Sequence, residues 1–405
     1  QQQVDDESIL PKVELADVPA EIPDLDFSQQ ERSGISVTTY GQGTNGLVYQ
    51  QLIAPLPRVD RDPLGDLPLY SSFLPELGLG ADSYLQVQHR QSACVGAINA
   101  FTSMRGKVDD EQAVTANFVL SSKALQRNAA DQAQLMHDTL SMARFDETGR
   151  IRELVSQQRA RREQGVTGNG HGLAMAAACA GMSPVADMSH RLSGLEGLRQ
   201  LKRLDEALAA PGEAHDFAGR LEQLHRRVAA MPRQLLVIAE EQHVDEIAGV
   251  AAAAVASDGD GTAENFQCAA VREQRAQLWL ANTQVNFCAR AYPTVPVQHP
   301  DAAPLTVLGG FLRNGFLHRA IREQGGAYGG GASQDSGIAA FRFYSYRDPR
   351  LEESLADFDA AVHWLLHNAH DCQALEESIL GVIGSLDRPG SPAGEAKQHF
   401  HNRLC

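Results

Sequence analysis

The sequence feature that most constrains the fold is a glycine-rich stretch, Arg322–Ala332, which holds five glycines among eleven residues. Glycine lets the backbone adopt positive φ angles and approach other atoms closely. An apolar run with helical spacing precedes the stretch at Leu305–Ile321, and an alternating run follows it at Ile338–Tyr346. This order predicts a helix, a glycine-rich turn and strand, a second turn and a second strand. The glycines predict a backbone surface against which another group lies.

One arginine and one tyrosine lie within the glycine-rich stretch, Arg322 and Tyr328. Arginine presents a planar fork of hydrogen-bond donors, and tyrosine presents a hydroxyl donor at the end of a rigid ring. Because the two residues are six positions apart across a glycine turn, both side chains can point into one cleft. The alternative is a glycine-rich hairpin in which the arginine pairs with a neighbouring acid and the tyrosine caps the sheet. Spacing alone favours neither interpretation.

The composition excludes several classes of function. The 405 residues carry a formal net charge of −16, which argues against a nucleic-acid partner because nucleic-acid-binding domains carry basic patches. A negative field attracts basic peptides instead. The most apolar runs, Leu173–Ala180 and Ile247–Ala256, are far shorter than the roughly 18 residues that span a membrane. We therefore expect neither nucleic acid nor a membrane as a partner.

The cysteines and the amino-terminal end bear on the compartment. The six cysteines are scattered without a C-x-x-C pair, which is typical of reduced thiols rather than of a disulfide scaffold. The chain begins Gln1-Gln2-Gln3 without a methionine, and no targeting segment is visible. We expect a fragment of a longer protein that works in a reducing compartment, either the cytoplasm or an organelle matrix.

Hydrophobic periodicity predicts strands and helices in an order typical of α+β domains. The predicted strands are Ile35–Tyr40, Leu47–Ala54, Ser92–Thr102, Ala113–Ser121, Gln234–Ala239, Ala276–Asn282 and Gln284–Tyr292. The first two of these are expected to pair as a hairpin. The predicted helices, besides the one that precedes the glycine-rich stretch, are Leu67–Leu77, Ala124–Ala143, Ile151–Gln164, His171–Met182, Leu192–Leu208, Phe217–Met231, Val244–Ala256, Leu351–Leu366 and Cys372–Leu386.

A polar, glycine-rich break at Ser257–Thr262 divides the chain. It predicts two α+β domains joined by a linker, of which the second carries the glycine-rich stretch. The predicted segments are an extended arm or linker at 1–33, a first α+β domain at 34–256, a linker at 257–264 and a second α+β domain at 265–405.

Four stretches carry a resemblance to a known family. The specific one is the block around Arg322 and Tyr328, Leu317–Gly331, and it is supported by Tyr344–Pro349, Thr44–Tyr49 and Asp387–Ala396. Together they resemble the carboxyl-terminal half of the presequence-protease branch of the pitrilysin/insulysin zinc metallopeptidases. The matching positions run from about residue 10 to the end of the chain.

The resemblance implies a fold and a site. It implies two similar domains, each a mostly antiparallel sheet packed by helices on one face, and a second domain that lacks its closing elements. It also implies that Arg322 and Tyr328 reach across a closed chamber to the zinc site of the other half of the enzyme, where they act in catalysis. The substrate-binding positions that it implies are Gly325, Gly326, Ala327 and Gly329.

The zinc signature of that family, H-x-x-E-H, supplies two histidine ligands and a glutamate that activates water. None of the 14 histidines of this chain lies in such a pattern. We therefore expect zinc to be bound by the absent amino-terminal half and no metal by this segment. His363, His367 and His370 share one helix face at metal-ligand spacing, but no carboxylate lies between the first two, and a solvated polar face is the favoured interpretation.

The resemblance favours one function over another. The first is the carboxyl-terminal half of a zinc-dependent oligopeptidase that encloses and cleaves unstructured peptides. This half would supply chamber wall, peptide binding and transition-state contacts, would be inactive alone, and would have the amino-terminal catalytic half and unstructured peptides as partners. The alternative is an inactive pseudoenzyme subunit that acts as a structural or partner-binding protein beside an active chain.

Overall fold

The computed structural model describes residues 13–22, 24–59, 63–256 and 264–404. Residues 1–12 of the predicted arm and residues 257–263 of the predicted linker lie outside these ranges. The described part contains one sheet of six strands and one of three, with helices packed on both. This architecture confirms the α+β class.

Both sheets are mostly antiparallel. Within the described residues, the strands are β1 (Ser28–Arg32), β2 (Ile35–Gly41), β3 (Leu47–Pro55), β4 (Ala97–Gly106), β5 (Val114–Leu125), β6 (Gln234–Ala239), β7 (Ala289–Pro293), β8 (Gly329–Asp335) and β9 (Ala340–Tyr346). The six-stranded sheet has the order β1-β2-β6-β3-β5-β4, and the three-stranded sheet has the order β7-β9-β8. Among these strands, only β2 and β6 pair in parallel.

The predicted hairpin of β2 and β3 is wrong, because β6 lies between these strands. Five of the six residues of β6 are buried, and a strand with apolar side chains on both faces belongs in the middle of a sheet. β2 instead forms a hairpin with β1, which falls in the predicted arm. The connecting residues, Ser33 and Gly34, have φ angles of 53° and 78°, as tight turns between antiparallel strands require.

The helices follow the sequence prediction more closely. Within the described residues they are α1 (Leu67–Phe73), α2 (Tyr84–Cys94), α3 (Ala129–Ser141), α4 (Thr148–Gly165), α5 (Gly170–Cys179), α6 (Pro184–Met188), α7 (Leu195–Ala207), α8 (Glu213–Ala229), α9 (Val244–Val255), α10 (Ala302–Leu312), α11 (Glu352–His367), α12 (Cys372–Leu386) and α13 (Pro392–Asn402). Two π-helical segments follow α6 and α10, at Ser189–Ser193 and Arg313–Gln324. None of the helices in this part of the chain has both the length and the apolar character needed to cross a membrane.

Further differences from the sequence prediction concern α2, α13 and residues 276–282. α2 occupies the beginning of the stretch predicted as a strand from Ser92, and a capping box at its first turn stabilises the helix. α13 is absent from the prediction, although Ser391 caps it and Pro392 occupies its first turn. Residues 276–282, predicted as a strand, pair with no strand that the structure describes.

Each sheet is covered by helices on both faces. The main core lies on one face of the six-stranded sheet, under α1, α3, α8 and α9, and α13 covers the opposite face. The π-helical segment Arg313–Gln324 and α11 cover one face of the three-stranded sheet, and α5 lies on the other against β7 and β9. Thus α13, which follows the predicted linker in the chain, packs on the six-stranded sheet. In turn α5, which precedes the linker, packs on the three-stranded sheet. The division into two domains at 257–264 stays a prediction.

Candidate functional site

The candidate site begins at the carboxyl end of a long helix. α10 passes directly into the π-helical segment Arg313–Gln324, and π-helical turns are rare but frequent at functional sites. Arg322 lies in the last turn of this segment, and its carbonyl oxygen accepts hydrogen bonds from the N–H groups of Gly325 and Gly326. The helix end therefore fixes the backbone of Arg322, while its side chain lies exposed to solvent.

Two glycines end the segment for different physical reasons. Gly326 has a φ of +78°, the left-handed conformation that commonly terminates a helix. Gly325 has an ordinary φ of −82°, but a Cβ there would lie 1.9 Å from Nη2 of Arg350. Nη2 of Arg350 also donates to the Asp357 carboxylate at 2.9 Å. The group that lies against the glycine backbone at this point is therefore a guanidinium of the chain itself.

The four backbone positions implied for substrate binding differ in their exposure. Ala327 is 4% exposed, and its methyl group belongs to the core of the three-stranded sheet. Gly325 is buried beneath Arg350. Gly326 is exposed, and Gly329 has no atom within 4 Å of its Cβ position. Space for another peptide backbone thus exists beside Gly326 and Gly329, whereas Gly325 and Ala327 face the protein interior.

The structure brings Arg322 and Tyr328 together. Cζ of Arg322 lies 5.9 Å from the centroid of the Tyr328 ring, a cation–π distance. Tyr328 is 66% exposed, and among the described residues neither side chain has an ion-pair or hydrogen-bond partner. The neighbouring acid, Glu323, approaches His318 at 3.4 Å instead. The donor groups of both side chains are therefore accessible.

Tyr346 supports the Tyr328 ring from the side. The two ring centroids lie 5.6 Å apart at an interplanar angle of 82°, the edge-to-face arrangement that aromatic pairs favour. Tyr346 also contacts Phe287 at 5.8 Å and His171 of α5 at 4.8 Å. Burial lowers the pKa of His171, which favours its neutral ring. Because α5 precedes the predicted linker, the support of Tyr328 draws on both parts of the chain.

A β-bulge places Tyr346 and Arg347 beside the candidate site. Phe287 faces these two residues of the neighbouring strand, where a regular ladder would have one. Arg347 has a φ of +49°, and its carbonyl oxygen accepts the Tyr328 N–H at 3.3 Å. Bulges often lie next to active sites, where they redirect side chains. Sequence reasoning did not single out either residue as a site residue, although both lie in the stretch Tyr344–Pro349 that carries part of the family resemblance.

The histidines at metal-ligand spacing make packing contacts. The rings of His363 and His367 stack at 3.9 Å, and His370 packs edge-on against Trp364 at 4.6 Å. Nε2 of His370 lies 2.8 Å from the Leu365 carbonyl oxygen. In the part of the chain that the structure describes, no group of three or more His, Cys, Asp or Glu side chains is placed to hold a metal ion. These residues therefore do not fit the zinc ion of the resembling family.

Comparisons with known proteins agree on one family. The model for the associated region of M16 peptidases of subfamily C matches residues 1–204, and the PreP C-terminal domain matches residues 277–404. A mitochondrial presequence protease from Danio rerio is 28% identical over 426 residues, which cover 98% of this chain and 41% of the relative. The corresponding protein from Yarrowia lipolytica is 27% identical over 406 residues, which cover 98% of this chain and 40% of the relative. The chain thus spans about two fifths of the length of these relatives.

Solved structures show the same fold. A conserved protein from Enterococcus faecalis V583 has a TM-score of 0.63 at 12% identity, covering 93% of this chain and 89% of that one. A peptidase M16 inactive domain from Pseudomonas fluorescens has a TM-score of 0.59 at 15% identity, covering 93% of this chain and 86% of that one. With one family model matching half of the sequence, the chain belongs to the family associated with M16 peptidases of subfamily C, and it corresponds to the carboxyl-terminal part of the presequence proteases.

Proposed function

We propose that this chain is the half of a zinc-dependent oligopeptidase that supplies peptide-binding and transition-state contacts but no zinc ligands. The observation that carries the proposal is the pair of Arg322 and Tyr328, which are adjacent and accessible and whose side chains have no ion-pair or hydrogen-bond partner among the described residues. Peptide hydrolysis develops an oxyanion that a preorganised donor stabilises. The Tyr328 hydroxyl is such a donor, and the planar Arg322 guanidinium suits a substrate carbonyl or carboxylate.

The surroundings of the pair support preorganisation. The backbone N–H of Tyr328 is bonded to the bulge, and its ring packs on Tyr346. Arg322 is held at the end of a helix whose last carbonyl groups are bonded to the following turn. A donor that is already in place needs no reorganisation when the charge develops, which is the condition for effective electrostatic catalysis.

The rest of the enzyme completes the proposal. Zinc would be bound by the amino-terminal half, and this chain alone would be inactive. The relatives are named presequence proteases, and we take unstructured peptides as the substrates. The net charge of −16 would favour basic ones. The mitochondrial relatives and the five free cysteines among the described residues support a reducing compartment such as an organelle matrix.

An inactive pseudoenzyme subunit is the second candidate. The likeness to a peptidase M16 inactive domain favours it. A subunit that only binds a partner has no chemical need for an accessible arginine beside an accessible tyrosine, and for this reason we prefer the enzyme. The two candidates differ in the rest of the polypeptide, since only the enzyme requires an H-x-x-E-H signature there.

The proposal is tested by Arg322→Ala in the full-length protease. Loss of hydrogen bonds to a charged group costs about 1.5–3 kcal/mol, so we expect kcat/KM for a peptide to fall about 10- to 100-fold with a clear rise in KM. Arg319 is exposed on the same helical segment, and Arg319→Ala is the matched control, with unchanged kinetics expected. Equal kinetics for the two variants and the parent enzyme would refute the role of Arg322.

A further inference from the structure

Four side chains form a row at the candidate site. Cζ of Arg322 lies 5.9 Å from the centroid of the Tyr328 ring, and the centroids of the Tyr328 and Tyr346 rings lie 5.6 Å apart. Cζ of Arg347 lies 5.4 Å from the centroid of the Tyr346 ring. All three distances lie within the ranges of cation–π and aromatic contacts. The row therefore has a guanidinium group at each end and two tyrosine rings between them.

Arg347 has a backbone conformation that is uncommon for a large side chain. Its φ is +49°, and its carbonyl oxygen accepts the Tyr328 N–H. The other non-glycine residues with positive φ in the part of the chain that the structure describes are Ser33, Asn45 and Ala339, each in a connection between two strands. Such conformations persist only where the surrounding structure fixes them, and they cluster at functional sites. The fold thus keeps an arginine where a small turn residue would fit more easily.

The same conformation brings the Arg347 guanidinium to the Tyr346 ring. Successive side chains of a regular strand point to opposite faces, so the two side chains would diverge if β9 continued. The left-handed backbone ends the strand pattern instead, and the guanidinium lies over the ring of the preceding residue. Arg347 is exposed, and within the described ranges its side chain has no ion-pair or hydrogen-bond partner. Its donor groups are therefore available to a ligand.

The acids that follow the two arginines in sequence have other partners. Glu323 approaches His318 at 3.4 Å, and Asp348 is buried and accepts a hydrogen bond from the Ser354 hydroxyl at 2.6 Å. In a chain with a net charge of −16, two accessible guanidinium groups thus lie side by side with tyrosines rather than with carboxylates. The planar donor fork of a guanidinium matches the two oxygens of a carboxylate. The ligand that this chemistry suits is an anion of that kind.

Open space adjoins the middle of the row. Gly329 is the cross-strand partner of Tyr346 in the ladder of β8 and β9, and no atom lies within 4 Å of its Cβ position. A peptide that lies over Gly329 therefore meets the row of four side chains. Such a peptide can contact Tyr328 and reach Arg347 at the same time.

We propose that Arg347 binds a carboxylate group of the peptide whose cleaved bond lies near Arg322 and Tyr328. The carboxylate is either the one at the carboxyl terminus of the peptide or that of an acidic side chain, and a guanidinium binds both by charge-assisted hydrogen bonds. The acidic chain as a whole attracts a basic peptide, and Arg347 fixes where its carboxylate lies. The inference rests on the proposed function, because it takes the surface around Tyr328 as peptide-binding.

The test uses the full-length protease and two pairs of peptides. The members of the first pair differ only in a carboxylate or a carboxamide at the carboxyl terminus. The members of the second pair are both amidated and differ only in one glutamate or glutamine near the cleaved bond. In one of the pairs, kcat/KM is expected to be about 10-fold higher for the carboxylate peptide, mainly through a lower KM. The pair that shows this preference identifies the source of the carboxylate.

Arg347→Gln removes the charge with a modest change in size. This variant is expected to lower kcat/KM for the preferred carboxylate peptide to the value of its neutral counterpart, and to leave the neutral peptide unchanged. Arg347→Lys keeps the charge and is expected to retain part of the preference. Arg319 is exposed on the same helical segment as Arg322, and Arg319→Gln is the matched control, with the full preference of the parent enzyme.

Three results would overturn the inference: no preference in either pair for the parent enzyme, the parental preference in Arg347→Gln, or equal losses for carboxylate and neutral peptides. Equal losses would mean that Arg347 is a structural residue or pairs with an acid elsewhere in the polypeptide. Arg347→Gly suits the positive φ and repeats the test if Arg347→Gln lowers the melting temperature. Reduced activity of Tyr328→Phe with parental preference in Arg347→Gln would refute this inference alone, whereas full activity of Arg322→Ala and Tyr328→Phe would refute the proposed function.

Discussion

At the scale of single residues, the exposure of Tyr328 follows from its neighbours. Ala327 is buried in the core, and the Tyr328 N–H is bonded to the Arg347 carbonyl oxygen. Successive side chains of an extended backbone point to opposite faces, so a buried Ala327 sends the tyrosine ring outward. The backbone can take this course at residue 325 because glycine has no Cβ, which would lie 1.9 Å from Nη2 of Arg350.

Gly325→Ala is expected to destabilise the chain by about 1–3 kcal/mol, because the new methyl group overlaps the Arg350 guanidinium and the Ile321 carbonyl oxygen. Gly329→Ala is the matched control, since its Cβ position is open, and we expect a change within about 0.5 kcal/mol. Denaturant unfolding of both variants measures the difference. Equal stability of the two would show that Arg350 does not constrain the turn.

His225 makes stability depend on pH. It packs against Phe145 at 5.3 Å and lies 3.1 Å from the Tyr70 hydroxyl through Nδ1. Burial lowers the pKa of His225 from 6.5 to about 4, so the folded state binds fewer protons than the unfolded state between these values. The stabilisation is present above pH 6.5 and is lost as the pH falls to about 4, by about 3 kcal/mol.

Unfolding measured across this pH range checks the assignment to His225. His225→Asn is expected to remove most of the loss, because the new side chain does not titrate. His89 is exposed, and His89→Asn is expected to keep the slope of the parent chain. A parental slope in His225→Asn would mean that other groups cause the acid sensitivity.

At the scale of elements, local patterns predict which segments are helices and strands, and they fail where pairing is remote. The glycine-rich stretch predicts the helix, turn and hairpin around Arg322 and Tyr328 correctly. The predicted hairpin of β2 and β3 is wrong because β6 lies between these two strands. In the sequence, β6 (Gln234–Ala239) is far from β3 (Leu47–Pro55). The sequence pattern of residues 276–282 is that of a strand, but a pattern does not supply a partner. Tyr346 and Arg347 reach the site through a bulge, which no local periodicity encodes.

α13 provides a test of how the elements depend on one another. Phe400 is 4% exposed in a cluster with Tyr40, Ile53 and Leu236 of the first sheet. Phe400→Ala is expected to cost about 3 kcal/mol or more of unfolding free energy and to speed hydrogen exchange in β6. Leu375 is 47% exposed on α12, and Leu375→Ala is the control, with little change expected. Parental exchange in β6 of Phe400→Ala would mean that α13 does not stabilise the first sheet.

At the scale of the whole molecule, two sheets share their covering helices, and the candidate site depends on this sharing. α5 reaches Tyr346 through His171, and Tyr346 supports Tyr328. The sequence resemblance supplied the family and the identity of the Arg322 and Tyr328 pair. The resemblance did not predict that α5 packs on the three-stranded sheet and α13 on the six-stranded sheet. Each of these helices packs on a sheet formed by a distant part of the chain.

The most direct test of the central claim is Tyr328→Phe in the full-length protease, with peptide cleavage and thermal unfolding measured on the same protein. The substitution removes one hydroxyl and little volume. We predict that kcat and kcat/KM fall together by about 100-fold, as for a lost oxyanion donor, with an unchanged melting curve. Tyr292 is 39% exposed on β7, and Tyr292→Phe is the control, with parental activity. Full activity of Tyr328→Phe with a normal melting curve would contradict the account, because Tyr328 would then be only a structural residue.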